Sequence, residues 1–96
     1  ADQTTKVKGM FVHPEQIAEI ALRHPELQRL RLVVDNPGGQ DQMVLHCETN
    51  TGGEALTQAV IASIRDLTKL RGEVVLCALG TLVNDGKVID DKRVYS

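Results

Sequence analysis

Aromatic side chains are nearly absent from this chain of 96 residues, which contains Phe11, Tyr95 and no Trp. Proteins that bind single-stranded nucleic acid usually stack bases on aromatic rings, so the composition argues against a platform of that kind. A charge excess of one sign is also missing, because 11 basic and 13 acidic residues leave a net charge of −2. That charge creates no field that would gather nucleic acid or an anionic membrane. We therefore expect no nucleic-acid partner.

Long apolar runs are missing as well. No run approaches the roughly 20 residues of a membrane span, and no signal peptide is recognisable, so we predict a cytoplasmic protein without a membrane partner. Cys47 and Cys77 each lie in an apolar, strand-like run and lack a second ligand at the short spacing that zinc prefers. Reduced thiols are the favoured interpretation, and a disulfide or metal site is the alternative. The three histidines show no metal spacing, so we predict no metal site.

The length bounds the architecture. A chain of this size forms one domain and buries a little over about 60% of the surface of its unfolded state, enough for one modest core. The sequence begins at Ala1 without an initiator Met, and strand-forming sequence follows within a few residues. We expect from this that the chain is one piece of a longer polypeptide.

The first third of the chain predicts a strand followed by a helix. Residues 6–12 are strand-like, and Gly9 within them indicates a bulge or a close backbone approach. Pro14 suits the first position of a helix, and His13 before it is a candidate N-cap residue. Pro25 ends this helix.

The middle of the chain predicts an antiparallel hairpin. Residues 28–35 alternate apolar and polar side chains, residues 36–41 have the composition of a turn, and residues 42–48 alternate again. Arg29 and Arg31 fall on the polar side of the first of these strands. They could meet a phosphate group, but a solvated strand face is the favoured interpretation.

A second helix and a further strand complete the pattern. Residues 51–54 match a capping box, an apolar stripe runs from Leu56 to Leu70, and Gly72 is the predicted end of the helix. Residues 73–79 are nearly all apolar, as expected of a central strand. The order β-α-β-β-α-β predicts an α+β, ferredoxin-like sandwich: a four-stranded antiparallel sheet with two helices on one face, plus a C-terminal loop.

The C-terminal loop carries the one conspicuous candidate for chemistry. Asn84, Asp85 and Gly86 form a tight turn, because Gly86 adopts positive φ without steric cost. Lys87 follows directly, and its ammonium group could reach an anion held by another surface. The alternative is a hairpin lysine in water. Residues 90–93, two acidic residues followed by two basic ones, are interpreted as a solvated tail.

Two separated motifs resemble one family. Residues 1–17, with the sequence ADQTTKVKGMFVHPEQI, resemble the hinge motif of the adenylate-forming enzymes. Residues 84–88, with the sequence NDGKV, resemble the Asn/Asp-Gly-Lys motif near the C-terminus of those enzymes. The phenylacetate–CoA ligase group, whose short C-terminal domain has a similar element order, is the most similar branch, and the likeness covers essentially the whole chain.

The resemblance implies a function for the longer polypeptide. Such ligases use ATP to activate a carboxylic acid as an acyl-adenylate, and coenzyme A then attacks the acyl carbon, giving a thioester and AMP. The expected partner of this chain is an N-terminal adenylation domain of the same polypeptide, which holds ATP, the acid and Mg²⁺. The chain itself resembles the mobile C-terminal lid domain and is expected to be inactive alone. Formation of a homodimer stays an open alternative.

The resemblance also implies roles for four residues. Lys87 aligns with the lysine that reaches the acid carboxylate and the α-phosphate during adenylation. Asp2 aligns with the hinge residue about which the domain swings. Lys8 and Gly9 align with the strand that lines the CoA (pantetheine) tunnel during thioester formation.

A free-standing module is the alternative function. A ferredoxin-like domain of this size could bind a small ligand or act as a regulatory dimerisation domain that pairs edge to edge. The reading frame upstream of Ala1 discriminates the two hypotheses, because only the ligase hypothesis requires an encoded nucleotide-binding domain there.

Overall fold

The computed structural model of the chain describes residues 4–93. The predicted hinge residue Asp2 lies outside the described residues. No helix within residues 4–93 combines the length and the apolar character needed to traverse a lipid bilayer. The described residues form two helices, six strands and one 3-10 turn: β1 Thr5–Val7, β2 Met10–Val12, α1 Pro14–Arg23, β3 Leu30–Asp35, the 3-10 turn Pro37–Gly39, β4 Gln42–Glu48, α2 Glu54–Thr68, β5 Glu73–Cys77 and β6 Ile89–Asp91.

The main sheet has four strands in the order β5-β4-β3-β6. Strands β3 and β4 pair antiparallel from Leu30↔Cys47 to Asp35↔Gln42, which confirms the predicted hairpin. However, β4 pairs parallel with β5, and β3 pairs parallel with β6. The prediction of a fully antiparallel sheet is therefore wrong. Helix α2 crosses over between β4 and β5 and returns the chain to the same end of the sheet, as a parallel pair requires. Strand β5 consequently lies at an edge and not at the predicted central position.

The first predicted strand is a separate hairpin. Strands β1 and β2 pair antiparallel with each other, with Val7 opposite Met10, and do not join the main sheet. Lys8 and Gly9 between them have φ values of 49° and 83°. Two successive residues with positive φ reverse the chain in the sense that suits a two-residue hairpin. Gly9 thus forms a turn and not the predicted bulge.

The core lies between one face of the main sheet, the two helices and the hairpin. Helix α1 places Ile17 and Ile20 in it, and α2 places Val60 and Ile64. The sheet and the hairpin contribute further fully buried side chains, namely Val7, Val12, Leu32, Val34, Leu45 and Cys47. Two helices against one sheet face were predicted. Alternate residues along β3 and β4 point to the other face, where Arg31, Val33, Val44 and His46 are half-buried.

Helix α1 begins as predicted. His13 is its N-cap residue, and the His13 N–H donates a hydrogen bond of 2.8 Å to Oε1 of Gln16. The Nε2 group of Gln16 donates to the carbonyl oxygen of Leu67 at 2.9 Å, which ties the start of α1 to the end of α2.

Helix α2 begins and ends differently from the prediction. Its N-cap residue is Gly53, which has φ 128° and no side chain to cap the helix, so the capping box predicted over residues 51–54 is wrong. Its C-cap residue is Lys69 in the left-handed conformation, with φ 64°. The helix therefore ends before Gly72. A lysine with positive φ is strained and a glycine is not, so the sequence favoured Gly72 as the end of the helix.

The predicted solvated tail is part of the fold. Strand β6 pairs with β3, and Arg93, just beyond it, has a side chain only 7% exposed. The guanidinium group of Arg93 donates to Oδ2 of Asp91 at 2.7 Å and to Oδ2 of Asp41 at 3.1 Å. It also donates to Oγ1 of Thr5 at 2.9 Å and to the carbonyl oxygen of Lys6 at 2.6 Å. Arg93 thus fastens the β1–β2 hairpin to the main sheet.

Candidate functional site

The loop of residues 78–88, which joins β5 to β6, carries Lys87. The turn predicted before this lysine is present, because Gly86 has φ 78°. Lys87 is exposed, and its ammonium group forms no salt bridge within residues 4–93. A compact cation on a flexible stem is therefore presented to solvent and available to an anion on another surface.

Arg31 of β3 holds this loop against the sheet. Its guanidinium binds Asp85 through two hydrogen bonds, Nη1 to Oδ1 at 2.8 Å and Nη2 to Oδ2 at 3.3 Å. Nη2 also donates to Oδ2 of Asp90 in β6 at 3.0 Å. The side chain of Arg31 is only 13% exposed, so these contacts are partly shielded from water. The solvated strand face favoured for Arg29 and Arg31 is wrong for Arg31, because its guanidinium is mostly shielded and binds two carboxylates of this chain.

Asp85 connects this arginine to the backbone of the lysine. Oδ1 of Asp85 accepts a hydrogen bond of 3.0 Å from the N–H of Lys87, two residues further on. Nη1 of Arg31 approaches the carbonyl oxygen of Lys87 at 3.4 Å. The hydrogen bonds from Arg31 and, second to them, the hydrogen bond from the N–H of Lys87 lower the pKa of Asp85 from 3.8 to about 2. Asp85 is therefore ionised at neutral pH.

Two further contacts anchor the same loop. Oε2 of Glu48, a residue only 4% exposed, accepts the N–H of Leu82 at 2.7 Å. This hydrogen bond lowers the pKa of the Glu48 carboxyl group below its usual value. At the far end of the loop, the N–H of Leu32 donates to the carbonyl oxygen of Val88 at 2.8 Å. The lysine thus projects from a loop whose backbone is held on both sides.

The other pair of predicted site residues lies elsewhere. Lys8 and Gly9 form the exposed turn between β1 and β2, where the N–H of Lys8 donates to Oδ2 of Asp41 at 2.8 Å. Lys8 borders a small cleft of about 150 Å³, which Arg71 also lines. Asp41 lies beside the start of β4, which pairs with the end of β3, whereas the Lys87 loop contacts Arg31 near the start of β3. The structure does not bring Lys8 and Lys87 into one site.

His24 and the two cysteines lie in structural positions. Nε2 of His24 lies 2.8 Å from Oγ of Ser63, which links α1 to α2. Cys47 and Cys77 are free thiols, and burial raises the pKa of Cys47 to about 12. Among residues 4–93 no group of three or more His, Cys, Asp or Glu side chains could hold a metal ion.

Sequence reasoning missed the role of Arg31 and Asp85 in the site. The local signal was present for Asp85, because an aspartate in a turn often accepts a hydrogen bond from the backbone N–H two residues further along the chain. No sequence signal joins Asp85 to Arg31, since 54 residues separate them. Their contact depends on the parallel pairing of β3 with β6, which the predicted antiparallel sheet did not contain.

Comparison with known proteins identifies the fold. No family model matches the chain, and no curated protein matches it either. A domain of phenylacetate-coenzyme A ligase from Bacteroides vulgatus ATCC 8482 superimposes with a TM-score of 0.88 at 23% identity, over 99% of this chain and 97% of that one.

A second ligase matches over part of its length. The structure of 2-hydroxyisobutyryl-CoA ligase with 2-HIB-AMP and CoA, in the thioesterification state, gives a TM-score of 0.82 at 16% identity. The match covers 96% of this chain and 22% of that one, so this chain spans about a fifth of the ligase. The chain therefore has the fold of this domain of phenylacetate-coenzyme A ligase and of the matching part of 2-hydroxyisobutyryl-CoA ligase, as the resemblance of its two terminal motifs predicted.

Proposed function

We propose that the chain is the mobile C-terminal domain of an ATP-dependent, AMP-forming acid–CoA ligase, and that Lys87 serves its adenylation half-reaction. The observation that carries the proposal is an exposed ammonium group without a salt-bridge partner in residues 4–93, on an anchored loop of a fold that occurs in two CoA ligases. An aryl acid similar to phenylacetate is the proposed substrate, because the B. vulgatus domain belongs to a phenylacetate-coenzyme A ligase.

The chemistry of adenylation explains the need for this cation. A carboxylate oxygen attacks the α-phosphorus of ATP, a new O–P bond forms, and the bond from phosphorus to pyrophosphate breaks. Two anions must approach each other while negative charge builds on the phosphate oxygens. An ammonium group between the carboxylate and the α-phosphate offsets this repulsion and stabilises the transition state. Nucleotide, acid and Mg²⁺ would be held by the N-terminal domain, so the 96-residue chain alone should be inactive.

The hairpin turn is the proposed element for the second half-reaction. Lys8 and Gly9 would line the tunnel through which the pantetheine arm of CoA reaches the acyl-adenylate. A Cβ atom built on Gly9 meets nothing within 4 Å, so the space beside this backbone is open to a ligand. The domain would swing about Asp2 and present the Lys87 loop during adenylation and the hairpin during thioester formation. The separation of these two elements within the fold is consistent with such alternation.

Separate assays of the two half-reactions test the proposal in the longer polypeptide that contains this domain. Lys87→Ala should slow acyl-adenylate formation by about 10²–10³-fold, as expected when one group that stabilises transition-state charge is removed. It should leave thioester formation from a preformed acyl-adenylate nearly unchanged. The matched control is Lys92→Ala, because Lys92 is another exposed lysine nearby in the chain. Its Nζ lies 3.8 Å from Oδ2 of Asp90. Equal loss of both half-reactions, or loss of neither, would contradict the role of Lys87.

A further inference from the structure

We propose that Arg31 is a positioning residue for Lys87: it holds the Lys87 loop in place through Asp85 and keeps nearby carboxylates from capturing the ammonium group. The inference rests on the proposed function of Lys87. It adds a residue from β3 that neither terminal motif contains.

The first argument is geometric. Arg31 binds both carboxylate oxygens of Asp85, Asp85 accepts the N–H of Lys87, and Arg31 itself approaches the carbonyl oxygen of Lys87. Arg31 therefore holds both backbone polar groups of Lys87, the N–H through Asp85 and the carbonyl oxygen directly. Because β3 lies between β4 and β6, Arg31 fixes the loop relative to an interior strand of the sheet. A misplacement of about 1 Å in a catalytic group can cost about 10²-fold in rate.

The second argument is electrostatic. Asp85 lies two residues before Lys87, and Asp90 lies three residues after it, so two carboxylates flank the ammonium group in the chain. In the structure both carboxylates bind Arg31 and neither forms a salt bridge with Lys87. One guanidinium with a fork of donors can engage two carboxylates at once, whereas a lysine ammonium is a single point of charge. Arg31 thus offsets negative charge that would otherwise attract the ammonium group of Lys87, and Lys92, with its Nζ 3.8 Å from Oδ2 of Asp90, adds to this effect.

The test compares Arg31→Lys and Arg31→Gln in the longer polypeptide. Arg31→Lys keeps the charge but loses the two-pronged contact, so we expect acyl-adenylate formation to slow about tenfold. Arg31→Gln also frees the two carboxylates, and we expect a larger loss. Thioester formation from preformed acyl-adenylate, and the KM values for ATP and acid, should stay within about twofold. The matched control is Arg23→Gln, which breaks an ion pair of 2.8 Å with Asp66 between the helices and removes the same charge.

A double variant separates positioning from direct contact. If Arg31 acts through Asp85, then Arg31→Lys combined with Asp85→Ala should slow adenylation no more than the worse single variant. Multiplied losses would mean that Arg31 acts independently of Asp85, which overturns positioning through that carboxylate. Full activity of Arg31→Lys would also overturn it, because charge alone would then suffice.

Two further measurements keep the result interpretable. In the 96-residue chain, NMR titration of the Asp85 carboxyl group should show its pKa rising towards the ordinary value in Arg31→Gln, and the Lys87 amide should exchange faster. A folded variant with neither change would refute the contact. Lys87→Ala distinguishes the two levels of failure: if it spares adenylation, the proposed function fails, whereas if it abolishes adenylation while Arg31→Lys is fully active, only the positioning role fails.

Discussion

Arg93→Gln should destabilise the domain far more than its place near the end of the chain suggests. The side chain of Arg93 is 7% exposed and bonds to strand β6, to Asp41 in a loop and to strand β1 of the hairpin. Removing one partner of a buried ion pair costs about 3–5 kcal/mol. We expect the free energy of unfolding to fall by about 3 kcal/mol, at the lower end of that range, because the carboxylates of Asp41 and Asp91 are partly exposed and can be hydrated in the variant. In a domain of this size this loss lowers Tm by about 12–24 °C.

Urea unfolding of the 96-residue chain measures this effect. The midpoint should fall while the m-value stays constant, which would indicate that stability and not compactness has changed. The control is again Arg23→Gln, since Arg23 is 38% exposed and its partner Asp66 is 60% exposed. An exposed pair contributes little, so Tm of the control should fall by about 4 °C or less. A loss for Arg93→Gln no larger than that of the control would refute the assignment of Arg93 as a structural clamp.

Three further predictions follow from the described contacts. Because the pKa of Asp85 is about 2 in the fold and 3.8 ordinarily, ionised Asp85 stabilises the fold fully above the ordinary value, and this contribution is lost as pH falls towards 2. In acid unfolding, the free energy of unfolding of Arg31→Gln should therefore fall less steeply with pH than that of the unchanged protein. Cys77 should react with iodoacetamide at pH 8 before Cys47, whose buried thiol has a pKa of about 12, and equal rates in the folded protein would contradict this. Gly9→Ala should cost about 1–2 kcal/mol in urea unfolding through positive φ alone, and an unchanged midpoint would show that the turn is not left-handed.

Local patterns predicted the elements of this fold better than its topology. The helix from Pro14 and the β3–β4 hairpin were predicted because prolines and alternating side chains act over a few residues. The mixed sheet was not predicted, because parallel pairing of β6 with β3 joins residues more than 50 positions apart. The charged composition of residues 90–93 indicated solvent, yet the side chain of Arg93 is only 7% exposed, since the carboxylates that neutralise it come from different parts of the chain.

The candidate site shows the same division. Lys87 and its glycine turn were predicted from four consecutive residues, and the structure places that lysine on an exposed loop. The contacts of Arg31 with Asp85 and Asp90 were not predicted, because alternation along β3 shows only that an arginine faces away from the core. Which anion pairs with that arginine depends on a strand contributed by the other end of the chain.

Chemical restoration of the ammonium group tests the role of Lys87 most directly. In the longer polypeptide, with Cys77→Ser and any other reactive cysteines replaced, Lys87→Cys should lose acyl-adenylate formation. Treatment with 2-bromoethylamine adds an aminoethyl group to the new thiol and restores a cation of nearly the length of lysine. We predict recovery to at least about a tenth of the original adenylation rate, and no recovery after alkylation with neutral iodoacetamide. Equal rates after both treatments, or no recovery after aminoethylation of the folded protein, would contradict a catalytic ammonium at this position.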